Sequence, residues 1–260
     1  MPLDTVDAAI PVRPSNAGAI EACGLFHALS EQVRSRLASN SFMAYAERGQ
    51  MIWMADSPAE FCSIVGVGFV KTSRSTPNGQ DVPIEMLGPG QVFGLIAVIE
   101  GRPLPLTATA VTNSWYLKIP GLEVQLACAD DRSFRDKVVE TLVRRLKRSE
   151  LLAARLSSTE SDQRIAAALS ILADSYGRTT HAGIEIPFPL TRRDLADIAG
   201  VAPETTTRIM RRWQGEGTLS GGFGPLTIFR PEAIGILPLE RRAPLTILHT
   251  HEGAVPRAKC

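Results

Sequence analysis

The most pointed chemistry in the sequence lies in one short stretch. In PETTTRIMRRWQGEG, residues 203–217, Glu204, Thr207, Arg208 and Arg211 share one side of a helical pattern. Ile209, Met210 and Trp213 form the other. A solvated surface helix usually mixes acid and base, whereas this outer face is Thr and Arg with a single Glu. Arg makes paired hydrogen bonds to guanine, Glu accepts from the cytosine amino group, and Thr bonds a base or touches the thymine methyl. Such a face suits a DNA major groove. Base reading is expected from Glu204, Thr207 and Arg208, in the N-terminal half of the helix, which is the part that enters the groove. Phosphate contacts, which set register without reading sequence, are expected from Thr191, Arg192, Arg193, Thr205 and Arg211.

Those residues need a frame, and the neighbouring sequence supplies one. TRRDLADIAG, residues 191–200, reads as a short helix capped by Thr191, with Asp194 at the reciprocal capping position. Gly200 allows the sharp turn of a helix-turn-helix, and Pro203 suits the first position of the second helix. TLSGGFGPLTIFR, residues 218–230, reads as two short strands around a Gly-rich turn, which makes the motif a winged helix.

Upstream, Ser161 to Tyr176 is helical, with Thr159 and Asp162 at capping-box spacing and Gly177 as the stop. From Ser133 to Leu156 there is no Gly or Pro. Val138, Leu142, Leu146, Ala153 and Leu156 form an apolar stripe that either packs on its own domain or forms a two-helix dimer seam. A break is expected near Asp130–Asp131. Residues 41–119 hold short apolar runs cut by Gly and Pro, the pattern of a small β-sandwich or barrel. Asn78-Gly79 marks a hairpin turn. Cys23 to Ser39 has helical spacing, with Ser30 a good N-cap. Residues 1–18 are expected to be flexible and 238–260 a loosely held tail.

The bulk numbers bound the rest. The net charge of +1 means that any nucleic-acid surface is a local patch. Cys23, Cys62, Cys128 and Cys260 form no C-x-x-C pair, so neither zinc nor a disulfide framework is indicated. No secretory signal or membrane-length apolar run is present, and a cytoplasmic location with no membrane partner is expected. A cupin-like metalloenzyme with a DNA-binding appendage is a rival reading. It needs a His-rich barrel, and residues 41–119 contain no His. No nucleophile–base pair is visible, so no enzyme activity is expected. A further rival uses the winged helix to contact protein.

LTRRDLADIAGVAPETTTRIMRRWQGEGTL, residues 190–219, resembles the DNA-binding signature of the Crp/Fnr family, the bacterial regulators that include the cyclic-AMP receptor protein and the fumarate-nitrate regulator. RGQMIWMADSPAEFCSIVGVGFVKTS and LGPGQVFGLIAVIEGRPLPLTATAV resemble that family's β-roll, and EAIGIL its C-terminal end. The resemblance implies an α+β chain. An N-terminal double-stranded β-helix, the cyclic-nucleotide-binding-like roll, is expected over 19–129, a dimerisation helix over 130–157, and a winged helix-turn-helix over 158–237. It implies a homodimeric regulator, of activator type, that binds double-stranded DNA and meets RNA polymerase. Thr180 and His181 match a polymerase-contacting loop.

Glu204 and Arg208 match the family's base-reading pair. Thr207 stands closer to the Ser of the fumarate-nitrate subgroup than to the Gly of the cyclic-AMP receptor. Pro203 replaces a further base-reading Arg. The implied half-site resembles TTGAT.

The ligand side departs from the pattern. The ribose-contacting Glu position is Leu95, and the phosphate-binding Arg-Ser pair is Leu104–Pro105. Cyclic-AMP dependence is therefore not expected, since a buried phosphate without its Arg is an unpaired charge. Iron–sulfur ligation is not expected with Cys23 as the sole N-terminal cysteine. Leu95, Leu104 and Leu106 either line an apolar pocket or fill the vacated site. No cofactor is expected. The alternative is an effector-gated member using haem, a thiol or an apolar small molecule.

Overall fold

The computed structural model describes residues 10–76, 81–156, 160–220 and 225–236. The chain begins with helix α1 (Asn16–Glu21), a 3-10 turn at Phe26–Ala28 and helix α2 (Glu31–Asn40). Ser15 and Ser30 cap the two helices by accepting from the N–H groups of Gly18 and Val33. The helix expected over Cys23–Ser39 is therefore split. Leu29 and Ser30 are both extended, which is the backbone shape an N-cap requires.

The expected flexible segment needs correction as well. Trp115 Nε1 donates to the Pro11 carbonyl at 2.8 Å, and the Arg13 guanidinium lies 5.6 Å from the same indole. Residues 10–18 are thus held against the roll, and residues 1–9 lie outside the described residues.

Eight strands follow: β1 (Phe42–Ala46), β2 (Met51–Trp53), β3 (Phe61–Val67), β4 (Val70–Ser75), β5 (Asp81–Leu87), β6 (Val92–Phe93), β7 (Thr107–Ala110) and β8 (Ser114–Pro120). Helix α3 (Leu95–Glu100) interrupts them. They form two antiparallel sheets, ordered β1-β8-β3-β6 and β2-β7-β4-β5. β4 and β5 pair with Ser75 opposite Asp81, the hairpin expected around Asn78-Gly79. The turn itself lies outside the described residues.

The period of two along a strand divides the apolar residues between two cores. On β3, Val65 joins Val70, Phe93, Ala108 and Tyr116 inside the roll. Cys62 and Ile64 face a helical layer containing Ile20, Phe26, Leu37 and Val124.

Helix α4 (Gly121–Asp130) is separated from α5 (Arg132–Leu156) at Asp131, whose Oδ1 accepts from the Phe134 N–H at 3.0 Å. The break expected at Asp130–Asp131 lies here. The stripe expected as a dimer seam is partly corrected. Val138 is only 6% exposed and belongs with Phe134 to the helical-layer core, and Leu142 packs against that core. Leu146 is 59% exposed, and Val139 and Val143 are exposed beside it. The helix continues through Ala153 and Leu156, whose side chains lie outside the described residues.

The C-terminal part comprises α6 (Ser161–Tyr176), β9 (Arg178–Thr180), β10 (Gly183–Pro189), α7 (Arg192–Ala199), α8 (Pro203–Gly215), β11 (Pro225–Ile228) and a 3-10 turn at Pro231–Ile234. Glu160 occupies the N-cap position of α6. Thr159, the expected cap, lies outside the described residues. β10 is central in a sheet ordered β11-β10-β9.

The core of this part runs into the roll. Phe69 and Met86 share one cluster with Ile165, Phe188, Leu195 and Trp213. The Phe69 ring lies 4.7 Å from Phe188 and meets Tyr176 edge-on at 6.2 Å. The Tyr176 hydroxyl donates to the Met86 carbonyl.

Candidate nucleic-acid interface

Local chemistry builds α7 and α8 much as their residue types require. The Thr191 hydroxyl accepts from the Asp194 N–H at 2.9 Å and donates to Asp194 Oδ2 at 2.6 Å. Gly200 closes α7 at φ +60, where a Cβ would also lie 2.6 Å from the Arg164 guanidinium. An L side chain there would be strained as well as crowded. Pro203 opens α8, and Ile209, Met210 and Trp213 are buried beneath it. Thr206 is fully buried with them, so the outer face of α8 carries two of its three consecutive threonines, Thr205 and Thr207.

Three tertiary contacts fix the pair of helices. Arg164 of α6 donates from Nε to the Ala199 carbonyl at 2.9 Å and from a terminal nitrogen to the Gly200 carbonyl. It thereby satisfies carbonyls left unpaired at the end of α7. Lys71 of β4 places Nζ 2.7 Å from Asp194 Oδ1, a largely buried carboxylate, and so ties α7 to the roll. Arg212 pairs with Asp162 and lies 3.7 Å from Glu216, so it holds α8 on α6. None of these roles has a local signal in the sequence, because each partner lies far along the chain or on another helix.

The outward residues share one face of α8. Glu204 and Arg208 are exposed, one helical turn apart, and Arg211 follows on the same face. Arg208 has no acidic partner among the described residues. The Thr207 hydroxyl donates to the Pro203 carbonyl at 2.8 Å, which leaves its methyl group as the outward feature. Burial, and then the charge of neighbouring Arg211, push the Arg192 guanidinium below its usual range. Two like charges held together in this way favour an anion between them.

Two expected phosphate contacts are placed differently. The Thr191 hydroxyl proton is committed to Asp194, so that side chain is a cap. Arg193, itself exposed, lies 3.7 Å from the largely buried Asp197 carboxylate. Thr205 is half-buried on α8. In the wing, the Ser220 N–H donates to the Thr227 carbonyl and Leu219 bridges Ile228. Residues 221–224, the expected turn, lie outside the described residues.

Thr180 ends β9, and His181 and Ala182 form the tight turn into β10. The Thr180 hydroxyl donates to the Gly183 carbonyl at 3.0 Å, and His181 is exposed.

The roll interior is occupied by side chains. The Trp53 indole stacks on Phe93 at 4.7 Å and donates to the Leu106 carbonyl at 3.1 Å. A Cβ at Gly94 would lie 3.3 Å from Trp53 and 3.4 Å from Leu104, so these two groups converge beside position 95. The three leucines have different surroundings. Leu95 packs outward into the helical layer, Leu104 is 4% exposed, and Leu106 is half-buried.

The thiols are quiet too. Cys23 is buried, and its pKa is pushed up to about 11 by loss of solvation; burial also pushes up Cys62 and Cys128. A thiol without its thiolate form is a poor redox sensor. Cys260 lies outside the described residues. Among the described residues, no group of three His, Cys, Asp or Glu could hold a metal ion, and no helix is long and apolar enough to cross a membrane.

A roll, a long helix and a winged helix with an unpaired Arg/Glu reading face define a DNA-binding transcription regulator. Comparison with known proteins gives the family. Residues 44–131 match the cyclic nucleotide-binding domain and residues 163–234 the Crp-like helix-turn-helix domain. The chain is 23% identical to the CRP-like cAMP-activated global transcriptional regulator of Mycobacterium tuberculosis, over 72% of this chain and 84% of that protein. It is 24% identical to the global nitrogen regulator of Synechococcus elongatus, over 72% of this chain and 86% of that protein. The structure of FixK2 from Bradyrhizobium japonicum superposes with a TM-score of 0.64 at 23% identity, covering 75% of this chain and 95% of that one. The chain belongs to the Crp/Fnr family of transcription regulators.

Proposed function

We propose that the chain acts as a homodimer that reads a near-palindromic site with half-sites resembling TTGAT, without cyclic AMP. The observation that carries this reading is the outer face of α8. Exposed Glu204 and Arg208 stand one turn apart over a rigid base, with the Thr207 methyl between them. Glu204 accepts from a cytosine amino group, Arg208 forks onto a guanine, and the Thr207 methyl meets a thymine methyl. Arg192 and Arg211 grip phosphates on either side, with Arg193 and the Thr205 hydroxyl as further phosphate contacts.

The exposed stripe Val139, Val143, Leu146 has the four-and-three spacing of a coiled-coil seam. It pairs the protomers so that two α8 helices reach half-sites about one DNA turn apart. The turn carrying Thr180 and His181 is the surface offered to RNA polymerase. Independence from cyclic AMP is supported by Leu95 and Leu104–Pro105 at the resemblance's nucleotide-contacting positions and by the packing of Trp53 on Phe93 beside Leu104.

Fluorescence anisotropy on a TTGAT-N4-ATCAA duplex and a scrambled control, at one fixed salt and with no ligand, tests the reading. Tight binding to the first alone is expected. Equal weak binding to both would remove the half-site.

A further inference from the structure

Outside the roll interior, a cleft of about 360 Å³ opens between the segment after α1, the end of β5, the loop before β6 and the first half of α5. Its volume falls within the range of small-molecule sites, about 300–1,000 Å³. Lys137, Arg144 and Arg145 project from α5 into it against a single carboxylate, Glu85. Thr141 and Gln91 add neutral hydrogen-bonding groups.

The cations are held in place. Arg145 donates to the Val92 carbonyl and lies 3.7 Å from Glu85. On the rim, Glu140 accepts from Lys137 at 2.8 Å and from Arg144, so it occupies the position an incoming anion would take.

The cleft and the dimer seam use different faces of α5. At about 100° per residue, Lys137, Thr141 and Arg144 lie opposite Val139, Val143 and Leu146, so pairing of two protomers leaves the cleft open. The wall of the cleft includes Met86, the same residue whose side chain joins the winged-helix core and whose carbonyl accepts from Tyr176.

We propose that this cleft is an effector site for a small organic dianion, separate from the family's nucleotide position. The ligand bridges Lys137 and Arg144 of α5 to Gln91 and Arg145, displacing Glu140. It shifts Met86 and β5, and through Tyr176 the pose of the winged helix. The effector role rests on the DNA-binding reading; occupancy of the cleft does not.

Calorimetric titration of the full chain without DNA, at fixed ionic strength, uses two probes, succinate and glycerol 3-phosphate. The dicarboxylate and phosphate arms distinguish the source of the dianion. Saturable binding of at least one is expected. Lys137→Gln/Arg144→Gln, both at exposed or half-exposed positions, should weaken it about tenfold. Glu140→Gln, which removes the internal competitor, should tighten it about threefold. Arg208→Ala should leave it unchanged.

No saturable binding of any probe overturns the site. So does binding that survives the double substitution and disappears in Arg208→Ala, since that places the anion on the DNA face. Anisotropy with the bound probe should then show a changed DNA affinity in the native chain and none in the double variant. An unchanged affinity in the native chain overturns the effector role while leaving the DNA-binding reading intact.

Discussion

The outer face of α8 and the interior of the roll carry opposite kinds of information. On α8, side chains that form hydrogen bonds point outward with little to satisfy them, and the apolar residues beneath are fixed by burial. Inside the roll, Trp53 stacks on Phe93 with Leu104 close by, and the indole N–H is satisfied by the Leu106 carbonyl. One region retains unpaired polar chemistry and therefore calls for a partner. The other, on the proposed reading, contributes packing. A family match covers both regions alike, so it is the chemistry of the residues that separates an active surface from a filled site.

The comparison can be broken most severely at the proposed seam, Val139, Val143 and Leu146 of α5. Val143→Asp with Leu146→Asp puts carboxylates where two apolar stripes would meet. The protomer core should be spared, because both residues are exposed there. Sedimentation should report a monomer. Operator affinity should fall by about 4 kcal/mol, toward the non-specific range. A dimer that persists with full affinity would place the interface elsewhere.

The filled interior is tested next. Leu104→Ala removes a nearly inaccessible side chain beside Trp53 and should cost about 3 kcal/mol of folding stability in a urea melt. The specific DNA affinity of the folded protein should stay unchanged, because the packing role and the reading role are separate. A loss of stability below about 0.5 kcal/mol, the range of ordinary surface changes, would mean that the site is looser than its contacts indicate.

Arg208→Ala addresses the other side of the comparison and has a smaller expected effect. Specific affinity should drop by about 2 kcal/mol, with relaxed preference at one base pair of each half-site, while non-specific binding barely changes. A uniform loss across all sequences would reassign Arg208 to a phosphate.

Parts of this molecule were legible in the sequence because their determinants are local. Thr191, Gly200 and Pro203 each specify a backbone state within three or four residues, and the apolar period of α8 assigns its two faces. The cap at Ser30 was legible for the same reason, although the helix before it was not. Its apolar spacing continues through Leu29, where the extended backbone that positions the cap breaks the helix.

Helix α5 shows where such reading ends. Val138 and Val139 are neighbours about 100° apart on a helix, and both are valine. One packs on the roll and the other is exposed. A helix that serves both its own domain and a partner carries two apolar stripes, and periodicity alone does not say which stripe serves which. The Arg164 clamp and the Lys71–Asp194 pair were equally hidden, since their partners lie 35 and 123 residues away.

The smallest expected effect gives the sharpest discrimination. Adding cyclic AMP to the native chain should leave operator affinity unchanged, because the ligand meets two costs and no compensating gain. Its phosphate would be buried against Leu104 and Pro105 with no Arg to pair it, a penalty of several kcal/mol. Its base and ribose would have to displace Trp53 from Phe93 and break the indole bond to Leu106. Micromolar binding in a calorimetric titration would show that the interior opens at little cost. In that case Leu104→Ala should strengthen the binding, because the energy of clearing the site would already have been removed. If neither the native chain nor Leu104→Ala binds, the missing Arg–phosphate pairing is sufficient to exclude the nucleotide, and the packing of Trp53 is a consequence of that loss.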